Sequence, residues 1–192
     1  MPTSVPDGAL HAGPARIIFL HIVKTAGTSV VEYFRQLFGP AAVFAHGDFM
    51  RYPQGQPLPQ QVFEQYRFLS GHFGYTQVAP YQDRAYSFVF LRDPVERVLS
   101  FYKFCLHPDM QKNFAVARAA QALGLEGFLE SDLPEVVEML DNQQTWHLAR
   151  MYWQADRQAL AGCPGHELLA MACEHLDRFS RVGLTESFGA DF

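Results

Sequence analysis

Arg16-Ile-Ile-Phe-Leu-His-Ile22 is a nearly unbroken run of apolar, β-prone residues. A run without polar alternation predicts a strand covered on both faces, as in the middle of a parallel sheet. A short loop containing Gly27 follows. Val30, Val31, Phe34, Leu37 and Phe38 then recur at helical spacing, with Thr28 or Ser29 placed to cap the helix and Gly39-Pro40 to stop it. From Pro40 to Pro59 the density of Pro, Gly and Gln predicts irregular chain. Strand patterns resume at Tyr66–Ser70, followed by Gly71-His72-Phe73-Gly74, and at Tyr86–Leu91, which runs into Arg92-Asp93-Pro94. Asp93 is suited to an N-cap, Pro94 to the first helical position and Glu96 to a capping-box spacing, so a helix through Lys103 is expected. Between Met110 and His175 the apolar spacing is mostly helical, including Val136 to Tyr152, with a break at Gly162–Gly165. Phe179–Leu184 reads as one more strand, and Thr185-Glu186 as the opening of a helix.

Composition narrows the class. At 192 residues, 48% hydrophobic and 14% aromatic, the chain has ample apolar material for one globular core. Residues 1–15, rich in Pro, Gly and small polar groups, read as a flexible N-terminal tail without the features of a signal peptide. Residues 16–192 read as a single domain, expected to be truncated at its C-terminal end because the chain stops inside what looks like a βα unit. A net charge of −5 argues against broad nucleic-acid binding, so any phosphate site must be local. Three cysteines lack the density of a disulfide scaffold, and no stretch is long and apolar enough for a transmembrane segment, so a cytoplasmic protein is expected.

Two constellations carry chemistry. Lys24-Thr25-Ala26-Gly27-Thr28-Ser29 lies between a strand and a helix N-terminus, where unpaired N–H groups and the helix dipole favour an anion. Lys24 supplies charge, Gly27 lets the backbone close in, and the hydroxyls of Thr25, Thr28 and Ser29 are donors. The order differs from the ATP-binding Gly-x-x-x-x-Gly-Lys-Ser/Thr loop. The plainer reading makes Gly27 a turn residue and Thr28 a cap. Arg92 emerges at a strand end, where ligands of open α/β sheets bind, and Ser100 follows two helical turns later. They suit a second phosphate, or else Arg92 merely pairs with Asp93 or Glu96.

Phe19–Ser29 and Phe88–Tyr102 resemble the 5′-phosphosulfate loop and the 3′-phosphate segment of carbohydrate sulfotransferases that use 3′-phosphoadenosine 5′-phosphosulfate (PAPS). The nearest likeness is to the branch of the heparan sulfate 2-O- and 6-O-sulfotransferases. Ser70–Gly74, Asp141–Thr145 and Val182–Glu186 add shorter likenesses. The resemblance implies an α/β fold: a P-loop-NTPase-like three-layer sandwich with a central, mainly parallel sheet and a helical C-terminal half. It implies that Lys24, Thr25, Gly27, Thr28 and Ser29 hold the 5′-phosphosulfate, and that Arg92 and Ser100 hold the 3′-phosphate. Lys24 would also stabilise charge on the bridging oxygen. His72, upstream of the 3′ segment, takes the place of the general base that deprotonates the acceptor hydroxyl. His21 and Asp83 are its rivals. The expected partner is a hydroxyl-bearing acceptor, in that branch a saccharide, and no metal is called for.

Val23 stands where the family often has Pro, and the family usually continues beyond the Val182–Glu186 segment. Asn142, Gln143 and Gln144 read as a polar helix cluster that meets a sugar, the donor or solvent. Cys163, His166, Cys173 and His175 match no standard zinc spacing. Two other classes stay open: a nucleotide kinase or NTPase of related fold, with Asp93 as magnesium ligand, and a non-catalytic nucleotide-binding relative.

Overall fold

The structure is a computed structural model that describes residues 16–52, 56–110, 114–150 and 162–191. Its centre is a five-stranded sheet of β1 (Ile17–Leu20), β2 (Val43–Phe44), β3 (Phe68–Gly71), β4 (Tyr86–Leu91) and β5 (Arg181–Leu184), in the order β2-β3-β1-β4-β5. Every neighbouring pair is parallel. The expected mainly parallel sheet is thus wholly parallel.

Side chains alternate between the faces of the sheet, and each face is covered. On one face Phe19, Phe68, Phe88 and Phe90 pack beneath Val30 and Phe34 of α1 (Gly27–Phe38). Ring pairs Phe19–Phe88 and Phe34–Phe68 stack there at 4.8 and 4.1 Å. On the other face Ile18, Leu20, Leu69 and Val89 meet side chains from several short segments. These are α2 (His46–Phe49), α3 (Gln60–Gln65), α4 (Tyr75–Val78), α8 (Gln143–Ala149) and α9 (Gly165–Leu176). A second helical core joins α5 (Pro94–Cys105), α6 (Ala115–Leu129) and α7 (Pro134–Leu140) through Phe101, Phe128 and Val136. Each such fully buried side chain contributes about 1.5–3 kcal/mol of transfer free energy. A short α10 (Phe188–Asp191) follows β5. The architecture is α/β, three layers deep, with a helical C-terminal half.

Several local expectations change. The stretch expected to be irregular after Pro40 contains β2 and α2, with Asp48 accepting a hydrogen bond from the Ala45 N–H at the start of that helix. α1 begins at Gly27 behind a left-handed Ala26, with no side-chain cap, so Thr28 and Ser29 occupy its first turn instead of capping it. Asp93 does cap α5, accepting from the N–H groups of Val95 and Glu96. Glu96 pairs with Arg92 at 3.8 Å. The single helix expected from Val136 divides at Asn142, whose φ of 45° separates α7 from α8. Its last residues and the N-terminal tail lie outside the described residues. No helix among the described residues is long and apolar enough to cross a membrane.

Candidate active site

The C-terminal ends of β1, β2, β3 and β4 point into one cavity of about 790 Å³. The loop from β1 to α1 forms its floor. Lys24 and Ala26 sit in this loop with φ of 71° and 63°. Left-handed backbone in non-glycine residues costs on the order of 1–3 kcal/mol each and clusters at functional sites. Such changes of hand are how successive N–H groups come to line an anion-binding concavity. Thr25 holds the loop in shape: its hydroxyl and its N–H both donate to the Ile22 carbonyl, at 2.9 and 3.3 Å. Thr25 is fully buried and its side chain does not line the cavity, whereas Thr28 and Ser29 do line it and are exposed. Gly27 is demanded by packing, since a Cβ there would fall 1.7 Å from Nε2 of His21.

Two cations stand over this floor. The Lys24 ammonium lies 4.7 Å from the ring centre of Phe104. Burial, and then the charge of Arg92, hold its pKa below the ordinary lysine value. Arg92 is positioned by its own backbone: its N–H donates to Oε1 of Gln144 at 2.9 Å, and its carbonyl accepts from Nε2 of the same side chain at 2.8 Å. Its guanidinium reaches the Lys24 carbonyl at 3.3 Å and Glu96 at 3.8 Å. Ser100, on α5, lines the same cavity. Lys24, Gly27, Thr28, Ser29, Arg92 and Ser100, spread over two strand-loop-helix units, are therefore brought together.

Three histidines form the wall beside the β3 end. The ring of His72 is 4.5 Å from that of His21 and 4.0 Å from that of His46, centre to centre. Nδ1 of His72 lies 2.8 Å from the His21 carbonyl, which can only accept, so the proton sits on Nδ1 and Nε2 keeps its lone pair. Burial, followed by the neighbouring His21 and His46, holds the His72 pKa well below the usual value, although the His21 carbonyl pulls the other way. His21 is pushed down to about 3, mainly by burial, and burial lowers His46 as well. All three are neutral imidazoles at neutral pH. Asp83 is exposed on the turn before β4 and does not line the cavity. Among the described residues no cluster of His, Cys, Asp or Glu is arranged to hold a metal ion.

A family model described as "Sulfotransferase family" matches residues 8–171. The chain belongs to the sulfotransferase family. Among solved structures, this sulfotransferase is similar to the crystal structure of a sulfotransferase from Alicyclobacillus acidocaldarius. The two are 17% identical, with 94% of this chain and 76% of that chain covered and a TM-score of 0.40. A search of curated proteins finds no match.

In and around this cavity stand residues that the sequence pattern did not single out or placed differently. His46 falls in the stretch expected to be irregular, so no pattern pointed to it. Gln143 and Gln144, expected to meet sugar, donor or solvent, instead brace the two arginines. Gln144 holds the Arg92 backbone, and Gln143 accepts from Nη1 of the buried Arg97 at 2.7 Å, while Nη2 donates to the Met139 carbonyl at 2.9 Å. Burial pushes the Arg97 pKa down to about 10. Most of the remaining wall comes from α5 to α7 and includes Phe104, Met110, Phe114, Glu135, Glu138 and Met139, with Met50 and Thr185 added from beside α2 and β5.

Proposed function

We propose that this sulfotransferase moves the sulfuryl group of PAPS to a hydroxyl by direct in-line transfer. The observation that carries the reading is the convergence of two anion-suited sites and an unprotonated imidazole nitrogen on one cavity. The donor groups fit a two-ended anionic co-substrate. Arg92 and Ser100 would take the 3′-phosphate. Lys24, the α1 N-terminus, Thr28 and Ser29 would take the 5′-phosphosulfate. Thr25 contributes by closing the turn, its hydroxyl being engaged by Ile22.

His72 accepts the proton of the acceptor hydroxyl at Nε2, with Nδ1–H anchored on the His21 carbonyl. The acceptor oxygen bonds to sulfur as the bond from sulfur to the bridging oxygen breaks, leaving a sulfate ester and adenosine 3′,5′-bisphosphate. Lys24 stabilises the charge that grows on the bridging oxygen. Removing one preorganised donor of this kind costs roughly 3 kcal/mol. A saccharide acceptor and a place in the heparan sulfate branch follow from the motif resemblance. A cytoplasmic setting is supported by three free cysteines.

Calorimetry with adenosine 3′,5′-bisphosphate tests the site. Binding is expected, weakened about ten- to a hundredfold in Arg92→Ala, because a charged hydrogen bond contributes about 1.5–3 kcal/mol. ATP should respond less to that change. Absence of bisphosphate binding refutes the reading. In His72→Ala the transfer rate should drop by about 10²–10⁴ while bisphosphate affinity persists. An unchanged rate removes His72 from the mechanism.

A further inference from the structure

Arg92 stands where β4 leaves the sheet. The register of β4 with β1 ends at Val89, opposite Leu20, while the register with β5 runs on to Leu91, opposite Leu184. From there four backbone groups in succession are met by side chains. The Leu91 carbonyl accepts from the Thr185 hydroxyl at 2.9 Å. The Arg92 N–H and carbonyl engage the Gln144 amide, and the Asp93 N–H donates to Oε1 of Glu186 at 2.9 Å. Pro94, next in line, has no N–H to satisfy.

These bonds share a geometry. The Leu91 carbonyl and the Arg92 N–H are the two ends of one planar peptide unit; the Arg92 carbonyl and the Asp93 N–H are the two ends of the next. Thr185 and Gln144 therefore clamp the plane before the Arg92 Cα at both ends, and Gln144 and Glu186 clamp the plane after it. With both planes fixed, φ and ψ of Arg92 are fixed, and with them the direction in which its side chain departs. Gln144 supplies one end of each clamp. The other ends come from consecutive residues of the single turn Thr185–Ser187 behind β5, 94 and 93 residues away in the chain. Thr185 is half-buried and lines the cavity itself.

We propose that Thr185 and Glu186 are positioning residues for Arg92, setting the angle at which its guanidinium meets the 3′-phosphate of the donor. A fork of N–H donors rewards a phosphate only when it is aimed, so support from behind governs affinity as well as fold. This rests on the assignment of the 3′-phosphate to Arg92 made above.

The test is calorimetry with adenosine 3′,5′-bisphosphate beside adenosine 5′-phosphate, which lacks the 3′-phosphate. Thr185→Val and Glu186→Ala should each lower the preference for the bisphosphate about two- to tenfold, the worth of one hydrogen bond. Thr185→Ser and Glu186→Gln keep the hydroxyl and the acceptor oxygen, and should restore the preference. On an Arg92→Ala background Thr185→Val should lower it no further, because both changes act through one guanidinium. An unchanged preference in Thr185→Val or Glu186→Ala overturns the inference. So does an equal loss for both nucleotides, which marks a loosened fold, or a full additional loss on top of Arg92→Ala. If Arg92→Ala alone leaves the preference intact, the assignment of Arg92 to the 3′-phosphate fails, and the inference falls with it.

Discussion

Gly27 shows how one atom sets the shape of the loop between β1 and α1. The His21 ring stacks on Phe19 at 5.4 Å and rests against His72, so it fills the space a side chain at Gly27 would need. Gly27→Ala forces that ring aside. It should lower stability by about 1–3 kcal/mol, the usual cost of overpacking, and weaken bisphosphate binding, both read from thermal melts and calorimetry. Unchanged values in both would mean that the ring moves freely. Thr25 and Thr28 make the complementary point: residues of one type on either side of the α1 start, they divide the work, one closing the turn and the other facing the cavity. Nothing in their composition separates them, because the difference lies in which hydroxyl the Ile22 carbonyl captures.

Among elements, the junction between the end of β4 and the start of α8 matters most. Gln144 satisfies both backbone groups of Arg92, so the helix acts on that residue as a neighbouring strand would. Gln144→Ala leaves a donor and an acceptor without their partner at a half-buried position. The expected cost is about 1–3 kcal/mol of stability in urea unfolding, together with a several-fold loss of bisphosphate affinity, since the guanidinium loses its anchored base. Gln144→Glu retains the acceptor but not the donor, and should fall between the two. If affinity holds while stability falls, the brace is structural only. The sequence showed the asset at this junction, Asp93 capping α5, because a cap and its helix are adjacent. The brace was hidden because its partners lie 52 residues apart.

The molecule as a whole carries a pH signature from its buried histidines. His21 falls from 6.5 to about 3 on folding, and His46 and His72 shift in the same direction. Below pH 6.5 the unfolded chain takes up protons that the folded chain declines. Stability is therefore fully present above the unfolded pKa and lost as pH falls from about 6.5 towards about 3. Each such histidine contributes a slope of up to about 1.4 kcal/mol per pH unit. Urea unfolding across this range should show the decline, and His21→Gln should flatten part of it. A level profile in the parent chain would count against the neutral histidine wall.

The long apolar runs at β1, β3 and β4, the Asp93 cap and the placing of the Lys24–Ser29 and Arg92–Ser100 motifs on strand-loop-helix units were legible from sequence alone. Strand formation, capping and the loop between a strand and its helix all depend on residues close together in the chain. β2 and α2 were not legible, for a two-residue strand and a four-residue helix are too short to show a period. Nor were the left-handed Lys24 and Ala26, residue types that carry no mark of that conformation. Only the tertiary structure set His46 beside His72, braced Arg92 with Gln144 and brought two glutamates to the cavity wall. These arrangements join residues from different elements, and packing across the sheet decides them.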